Sequence, residues 1–206
     1  MSPSIPFIVH ALPRSRTKWI SAFLSYNEWK CGHEQAILLR SIHDMKNLFD
    51  IPYSGTVETA SAHAWRIIQY HAPHVRHAVI LRSVDEVMES MMRLDTQEFS
   101  YNPHTLRPML EYGNRMLHEL AQQRGVLTLK ASDLDTECGA SLLFRHCLPH
   151  RFDPGWWKSL RDKNIQCDVP QYIRYYHTHK TDVEAFKSLL WREMRALRRD
   201  NRITRH

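Results

Sequence analysis

Short apolar runs of strand length alternate with amphipathic runs of helix length along the first two thirds of this chain. "PFIVHAL" reads as a buried strand, and "TKWISAFLSY" follows it as a helix with Trp19, Ile20, Phe23 and Leu24 on one face. "WKCGH" reads as a second strand, "QAILLRSIHDMKNLF" as an amphipathic helix and "YSGTVE" as a third strand. "ASAHAWRIIQYHA" reads as a helix stopped by Pro73, because the residue before a proline is pushed out of the helical region. "RHAVILR" is a clear strand and "SVDEVMESMMRL" a helix after it. "LRPMLEYGNRMLHELAQQR" is a long helix ended by Gly125, and "VLTLK" a fifth strand. Parallel strands need crossover connections, usually helices. The alternation therefore predicts an α/β three-layer sandwich around a mostly parallel central sheet. Beyond residue 135 the pattern turns mainly helical. "DPGWWKSLRDKNI" opens on the helix-start pair Asp153–Pro154, and "TDVEAFKSLLWREMRALRRD" forms a last helix with a basic tail.

The whole chain, 1–206, reads as one domain: an α/β core over 1–135 and a mainly helical part over 136–206. With 43% hydrophobic and 24% charged residues it can bury a full core. No basic segment precedes the first apolar run, and no apolar run approaches the roughly 18 residues of a membrane span. These features predict a soluble, cytoplasmic protein. Cys31, Cys138, Cys147 and Cys167 form no CxxC pair and no zinc spacing, which predicts reduced thiols and no metal. His71, His74 and His77 flank Pro73 in an expected loop, without the carboxylate–histidine pattern of a metal site. The formal charge of +6 favours an anionic ligand without choosing one.

The turn "LPRSRTK", between the first strand and its helix, narrows that choice. A helix start presents unpaired N–H groups and a partial positive charge, and here Arg14, Ser15, Arg16, Thr17 and Lys18 add side-chain donors to it. In a parallel sheet ligands sit beyond the carboxyl ends of the strands, which places "LPRSRT" and "RSVDEV" on one rim. In the second segment Arg82 ends a strand and Ser90 follows eight residues on, about two helical turns in. A guanidinium and a hydroxyl in that register can reach one phosphate.

With "ALPRSRTKW" and "LRSVDEVMES" the chain resembles the sulfotransferase superfamily, in its short bacterial and phage-type members. Those enzymes have a P-loop-like α/β fold and use 3′-phosphoadenosine-5′-phosphosulfate (PAPS). The likeness covers roughly the first 95 residues, with a looser echo in "FDPGWWKSLRDKNIQ". It implies that Arg14, Ser15, Thr17 and the turn backbone hold the 5′-phosphosulfate, with Lys18 adding charge where the family usually has Thr. It implies that Trp19 packs near adenine, as an alternative to being a core tryptophan, and that Arg82 and Ser90 bind the 3′-phosphate. Ala11 and Arg16 stand where the family has glycines. If the turn is left-handed, a Cβ at Arg16 costs on the order of 1–2 kcal/mol. The expectation is a side chain aimed at the sulfonate or bridging phosphate to offset it. An RKG-like segment is missing from the last third, and Arg161 or Lys163 is the candidate substitute.

Sulfuryl transfer also needs a base within hydrogen-bond reach of the acceptor. Glu34 is the first candidate and His33 the second, both in "CGHE" after the second strand; Arg14 would stabilise the leaving phosphate. Glu34 is equally suited to capping the next helix, and Glu58 in "GTVETAS" is read chiefly as a helix cap. His177 and His179 in "YYHTHK" are expected in a solvated loop, and the six arginines of "WREMRALRRDNRITRH" on a solvated face or against an anionic acceptor. Three rival readings stay open: an ATP- or GTP-dependent P-loop kinase, a non-catalytic nucleotide- or polyanion-binding module, and a nucleic-acid binder. The kinase lacks a GxxxxGK[ST] loop, and the nucleic-acid binder lacks any recognised motif. The partners predicted are a nucleotide co-substrate and an unidentified acceptor, with no membrane span.

Overall fold

Phe7–Ala11 forms the central strand, β1, and all five of its residues are buried. A strand covered on both faces cannot alternate apolar with polar, which explains the unbroken apolar run. The computed structural model describes residues 4–94, 102–165 and 169–199, so the expectations on Cys167, Arg202 and Arg205 lie outside the described residues. The sheet order is β2 (Lys30–His33), β3 (Ser54–Glu58), β1, β4 (Arg76–Leu81), β5 (Leu127–Lys130). Every neighbouring pair is parallel, which makes the expected mostly parallel sheet a wholly parallel one among the described residues. Phe7 is in register with Gly55 on one side and Arg76 on the other. A Cβ on Gly55 would fall 2.1 Å from the Phe7 ring, so the ring occupies space that a side chain there would need.

The connection leaving β1 runs to the β2 edge, and the one leaving β4 runs towards β5. The crevice outside the carboxyl ends of β1 and β4 is therefore the topological switch point of the sheet. Helices α1 (Thr17–Leu24) and α4 (Val84–Met92) begin there.

Alternate residues of β1 feed opposite layers. Phe7, Val9 and Ala11 pack with Trp19, Ile20 and Phe23 of α1, Leu143 and Phe144 of α6 (Glu137–Cys147) and Trp157 of α7 (Pro154–Arg161). Ile8 faces the other way, onto α2 (Ile42–Asp50), α3 (Trp65–His71) and α8 (Val169–Arg199). Leu12 shares that second layer with Val79, α4 and α5 (Pro103–Ala121). The result is an α/β sandwich with a P-loop-like sheet order, as the alternation predicts. His10 interrupts the apolar series of β1. It is buried between Ser61, 2.7 Å from its Nδ1, and His77 of β4, 2.9 Å from its Nε2.

Several boundaries differ from the sequence expectation. The stretch read as one helix from Gln35 is a 3₁₀ turn, Gln35–Leu38, then α2, with Leu39 extended between them. Ser41 causes the restart, accepting the Asp44 N–H at 3.0 Å as an N-cap. "ASAHAWRIIQYHA" likewise divides into a 3₁₀ turn, Ala60–His63, and α3. His177 and His179 lie within α8 rather than in a loop, since that helix starts at Val169. His71 ends α3 and His77 lies in β4, so of the three histidines around Pro73 only His74 lies outside helix and strand. Asp153 does start α7, accepting from the N–H groups of Gly155 and Trp156 at 2.8 and 3.0 Å.

Candidate active site

The turn between β1 and α1 is left-handed twice, at Arg14 (φ 62°) and Arg16 (φ 61°). Residues with a Cβ resist that region, so each position needs compensation. Arg14 finds it on α4: its Nε donates to Ser90 Oγ at 3.1 Å. Arg82, just past β4, donates from its guanidinium to the Arg14 carbonyl. The two segments singled out in the sequence thus meet through Arg14, with Arg82 and Ser90 on the same side.

Arg16 is compensated differently from the expectation. Its guanidinium lies 4.4 Å over the Trp19 ring and is paired with Asp135, while a second nitrogen is 3.4 Å from the Arg161 carbonyl. The side chain is therefore directed onto the chain itself. Asp135 ends the 3₁₀ turn Ala131–Asp135 that follows β5, on the same rim, and supplies the anion. Composition gave no warning of this partner; its position after a fifth parallel strand was the one available signal.

Ser15 is fully buried between these two arginines, and its hydroxyl has no hydrogen-bond partner. Helix α1 begins without a side-chain cap from Arg16. Trp19 is 2% exposed, stacked on Phe23, with its indole N–H donating to the Leu160 carbonyl at 2.9 Å. It is a core residue flooring the turn. Arg161 is paired with Asp162 and lies 5.3 Å over Trp157. Lys163 follows the end of α7 and is exposed.

The rim continues at the ends of β2 and β3. His33 Nε2 lies 3.0 Å from Thr17 Oγ1 and 3.9 Å from Glu34 Oε1, so the base candidates adjoin the first turn of α1. Burial, and then the Lys18 charge, push the His33 imidazole down to about 4, which keeps it neutral near neutral pH. Burial pushes the Glu34 carboxyl up to about 7, against the pull of the Thr59 hydroxyl and then its N–H. Glu34 does not cap the turn it opens; both of its oxygens accept from Thr59, at 3.2 and 3.3 Å. Glu58 is the last residue of β3 and caps the other strand's turn, accepting the Ala36 N–H at 3.0 Å.

The remaining candidates are dispersed. His71 pairs with Glu193, His74 reaches the Phe49 carbonyl and His77 meets His10. Among the described residues no group of three or more His, Cys, Asp or Glu side chains is placed to hold a metal. Cys31 and Cys147 are buried and Cys138 is exposed, all three as free thiols. Arg40, Trp191, Arg192 and Arg195 line an open groove of about 480 Å³ on α8, and Cys138, Arg145 and Arg151 a second of about 660 Å³. Neither groove includes a residue of the β1–α1 turn. Among the described residues no helix is long and apolar enough to cross a membrane.

The fold is similar to that of a solved sulfotransferase domain from the curacin biosynthetic pathway. The TM-score is 0.56 at 14% sequence identity, over 75% of this chain and 76% of that one. No protein-family model matches the sequence, and no curated protein matches it. The likeness is one of architecture.

Proposed function

We propose that the protein is a sulfotransferase that moves a sulfuryl group from PAPS to a hydroxyl or amine acceptor. The observation that carries this reading is the convergence of Arg14, Arg82 and Ser90 on one side of the turn, with a buried, unpartnered Ser15 hydroxyl beside them. A buried hydroxyl without a partner costs about 1–3 kcal/mol, and an anionic oxygen in the turn would remove that cost. The turn residues therefore fit a phosphosulfate. Arg14, Ser15, Thr17 and Lys18 would hold its 5′ end, and Arg16 would join them on leaving Asp135. Arg82 and Ser90 would bind the 3′-phosphate, and Trp19 would support the adenine side through the floor of the turn. When bound, PAPS supplies the activated sulfuryl group. Glu34 takes the acceptor's proton, since a carboxyl near 7 is half-ionised at neutral pH and matched to that task. His33, neutral and beside Thr17, is the second choice. Arg14 stabilises the charge that develops on the leaving phosphate.

Calorimetry with 3′-phosphoadenosine-5′-phosphate tests the donor site. Micromolar binding is expected, weakened at least about tenfold by Arg82→Ala, because a charge-assisted hydrogen bond contributes about 1.5–3 kcal/mol. No binding, or binding unaltered by that substitution, would sink the reading. Tighter binding of ATP would replace it with the kinase. A second reading, a nucleotide- or polyanion-binding module without turnover, is favoured by Arg16 being held on Asp135. Release of 3′-phosphoadenosine-5′-phosphate from PAPS across a panel of acceptors separates the two.

A further inference from the structure

Glu34 and Glu58 leave adjacent parallel strands at one level and exchange turns. The Glu34 N–H donates to the Val57 carbonyl at 3.0 Å, extending the β2–β3 ladder by one rung and bringing Glu34 beside Glu58. The Glu34 carboxylate then holds the N–H of Thr59, after β3, while the Glu58 carboxyl holds the N–H of Ala36, after β2. Two carboxyls in one enclosed site do not both ionise near neutral pH.

We propose that Glu58 is a positioning residue: kept as the uncharged acid, it fixes the Gln35–Leu38 turn and leaves Glu34 as the carboxylate at the rim. This rests on the reading of Glu34 as the base.

The asymmetry of the pair decides which one keeps the proton. Glu34 is 13% exposed, and N–H contacts reach both of its oxygens. Glu58 is fully buried; the Ala36 N–H and the Thr56 hydroxyl both fall on Oε1, and the Gln35 N–H also favours its charged form, against the larger effect of burial. Its Oε2 is buried without a partner. A bare anionic oxygen in the interior costs far more than a neutral O–H there. Burial first, and then the Glu34 charge, raise the Glu58 carboxyl well above the usual range. Among the described residues no cation pairs with Glu58 to reverse this. The titratable groups around the pair are His33 and Cys31 of β2, Lys18 of α1 and His10 of β1, in register with Glu58; His63 of the Ala60–His63 turn stacks instead on Tyr112. On α8, which packs on the Gln35–Leu38 turn, His179 and Asp182 are engaged with each other, and Asp182 also with Arg40. In the transfer step the acceptor's proton passes to Glu34 as the acceptor's own oxygen or nitrogen bonds to sulfur. The bridging S–O bond breaks with its electron pair on the leaving phosphate, and Glu58 keeps its proton throughout.

Carbon-13 carboxyl titration of the glutamates, followed by NMR in the full chain, tests the protonation directly. Glu58 is expected to keep its proton well above the usual carboxylate range and after Glu34 has ionised, and its midpoint to fall in Glu34→Gln. A Glu58 that ionises in the ordinary carboxylate range, or before Glu34, overturns the proposal. Turnover then tests the positioning role. Glu58→Leu is expected to lose about tenfold or more, and Glu58→Gln, which mimics the neutral acid, to restore most of that at neutral pH and to flatten the alkaline decline. A folded Glu58→Gln no better than Glu58→Leu overturns it. Full turnover by Glu34→Gln would remove the base reading and the positioning role together, while the NMR titration would still decide whether Glu58 is neutral.

Discussion

Arg14 Nε donates to Ser90 Oγ at 3.1 Å, joining side chains 76 positions apart. The contact ties the left-handed turn after β1 to the second turn of α4, so the two ends of the proposed donor site are set by one guanidinium. Ser90→Ala should therefore act twice, removing one donor and loosening Arg14. The expected outcome is a loss of about tenfold in affinity for 3′-phosphoadenosine-5′-phosphate by calorimetry, with little change in the urea midpoint. Unchanged affinity would detach α4 from the site.

Arg16 offers a comparison between strain and contacts. Its left-handed backbone costs about 1–2 kcal/mol for a residue with a Cβ. Its exposed pairing with Asp135 returns no more than about 1 kcal/mol, and its stacking on Trp19 about 0.5–1 kcal/mol. Arg16→Gly loses the contacts and the strain together, whereas Arg16→Ala loses the contacts alone. Gly should be more stable than Ala by about 1 kcal/mol in urea unfolding, and close to the parent protein. Equal stability of the two variants would show that the turn relaxes out of the left-handed region.

Trp19 is expected to act on stability. It is 2% exposed and wedged between Phe23 and the Arg16 guanidinium. Trp19→Ala should cost about 3–5 kcal/mol, read from the urea midpoint. A loss under about 1 kcal/mol would mean that the floor of the turn is not a packed one.

The pH dependence of stability follows from groups shifted in opposite directions. His10 is pushed well below 6.5 by burial and then by His77, and His77 and His33 are pushed to about 4, mainly by burial. Below pH 6.5 the unfolded chain takes up these protons and the folded chain does not, so stability falls with pH down to about 4. Glu34, raised from 4.5 to about 7, works the other way: the folded state binds the proton first, and stability rises as pH falls through that window. Each full proton is worth about 1.4 kcal/mol per pH unit. The lowered histidines outnumber the two raised glutamates, Glu34 and Glu58, so urea midpoints should drop from about pH 6.5 to 5, and more steeply in Glu34→Gln. A flat profile would mean that the His10–His77 pair hydrates on acidification.

The five strands and the two segments that meet at the β1–α1 turn were legible because they rest on local chemistry. An unbroken apolar run such as "FIVHA" has few alternatives to a buried parallel strand, and a basic turn opening a helix declares itself within a few residues. The break at Leu39 was less visible, because the amphipathic period runs through it and only the Ser41 cap signals the restart. The start of α8 was missed for a similar reason, since "QYIRYYHTHK" carries little apolar periodicity before the packed positions at Phe186 and Leu189.

By itself the sequence determined the alternation of strands and helices, the strand–turn–helix at "LPRSRTK" and the residue types gathered there, since each depends on neighbours within about one helix or strand length; the switch point followed only from the strand order. Tertiary structure alone decided that Arg16 meets Asp135, that Arg14 meets Ser90, and that Glu34 and Glu58 cap each other's turns. Those partners lie 119, 76 and 22 to 25 residues apart, and they are chosen by strand register and crossover path. Which carboxyl keeps its proton is likewise set by how far each is withdrawn from water, a property of the packed sheet and not of either residue.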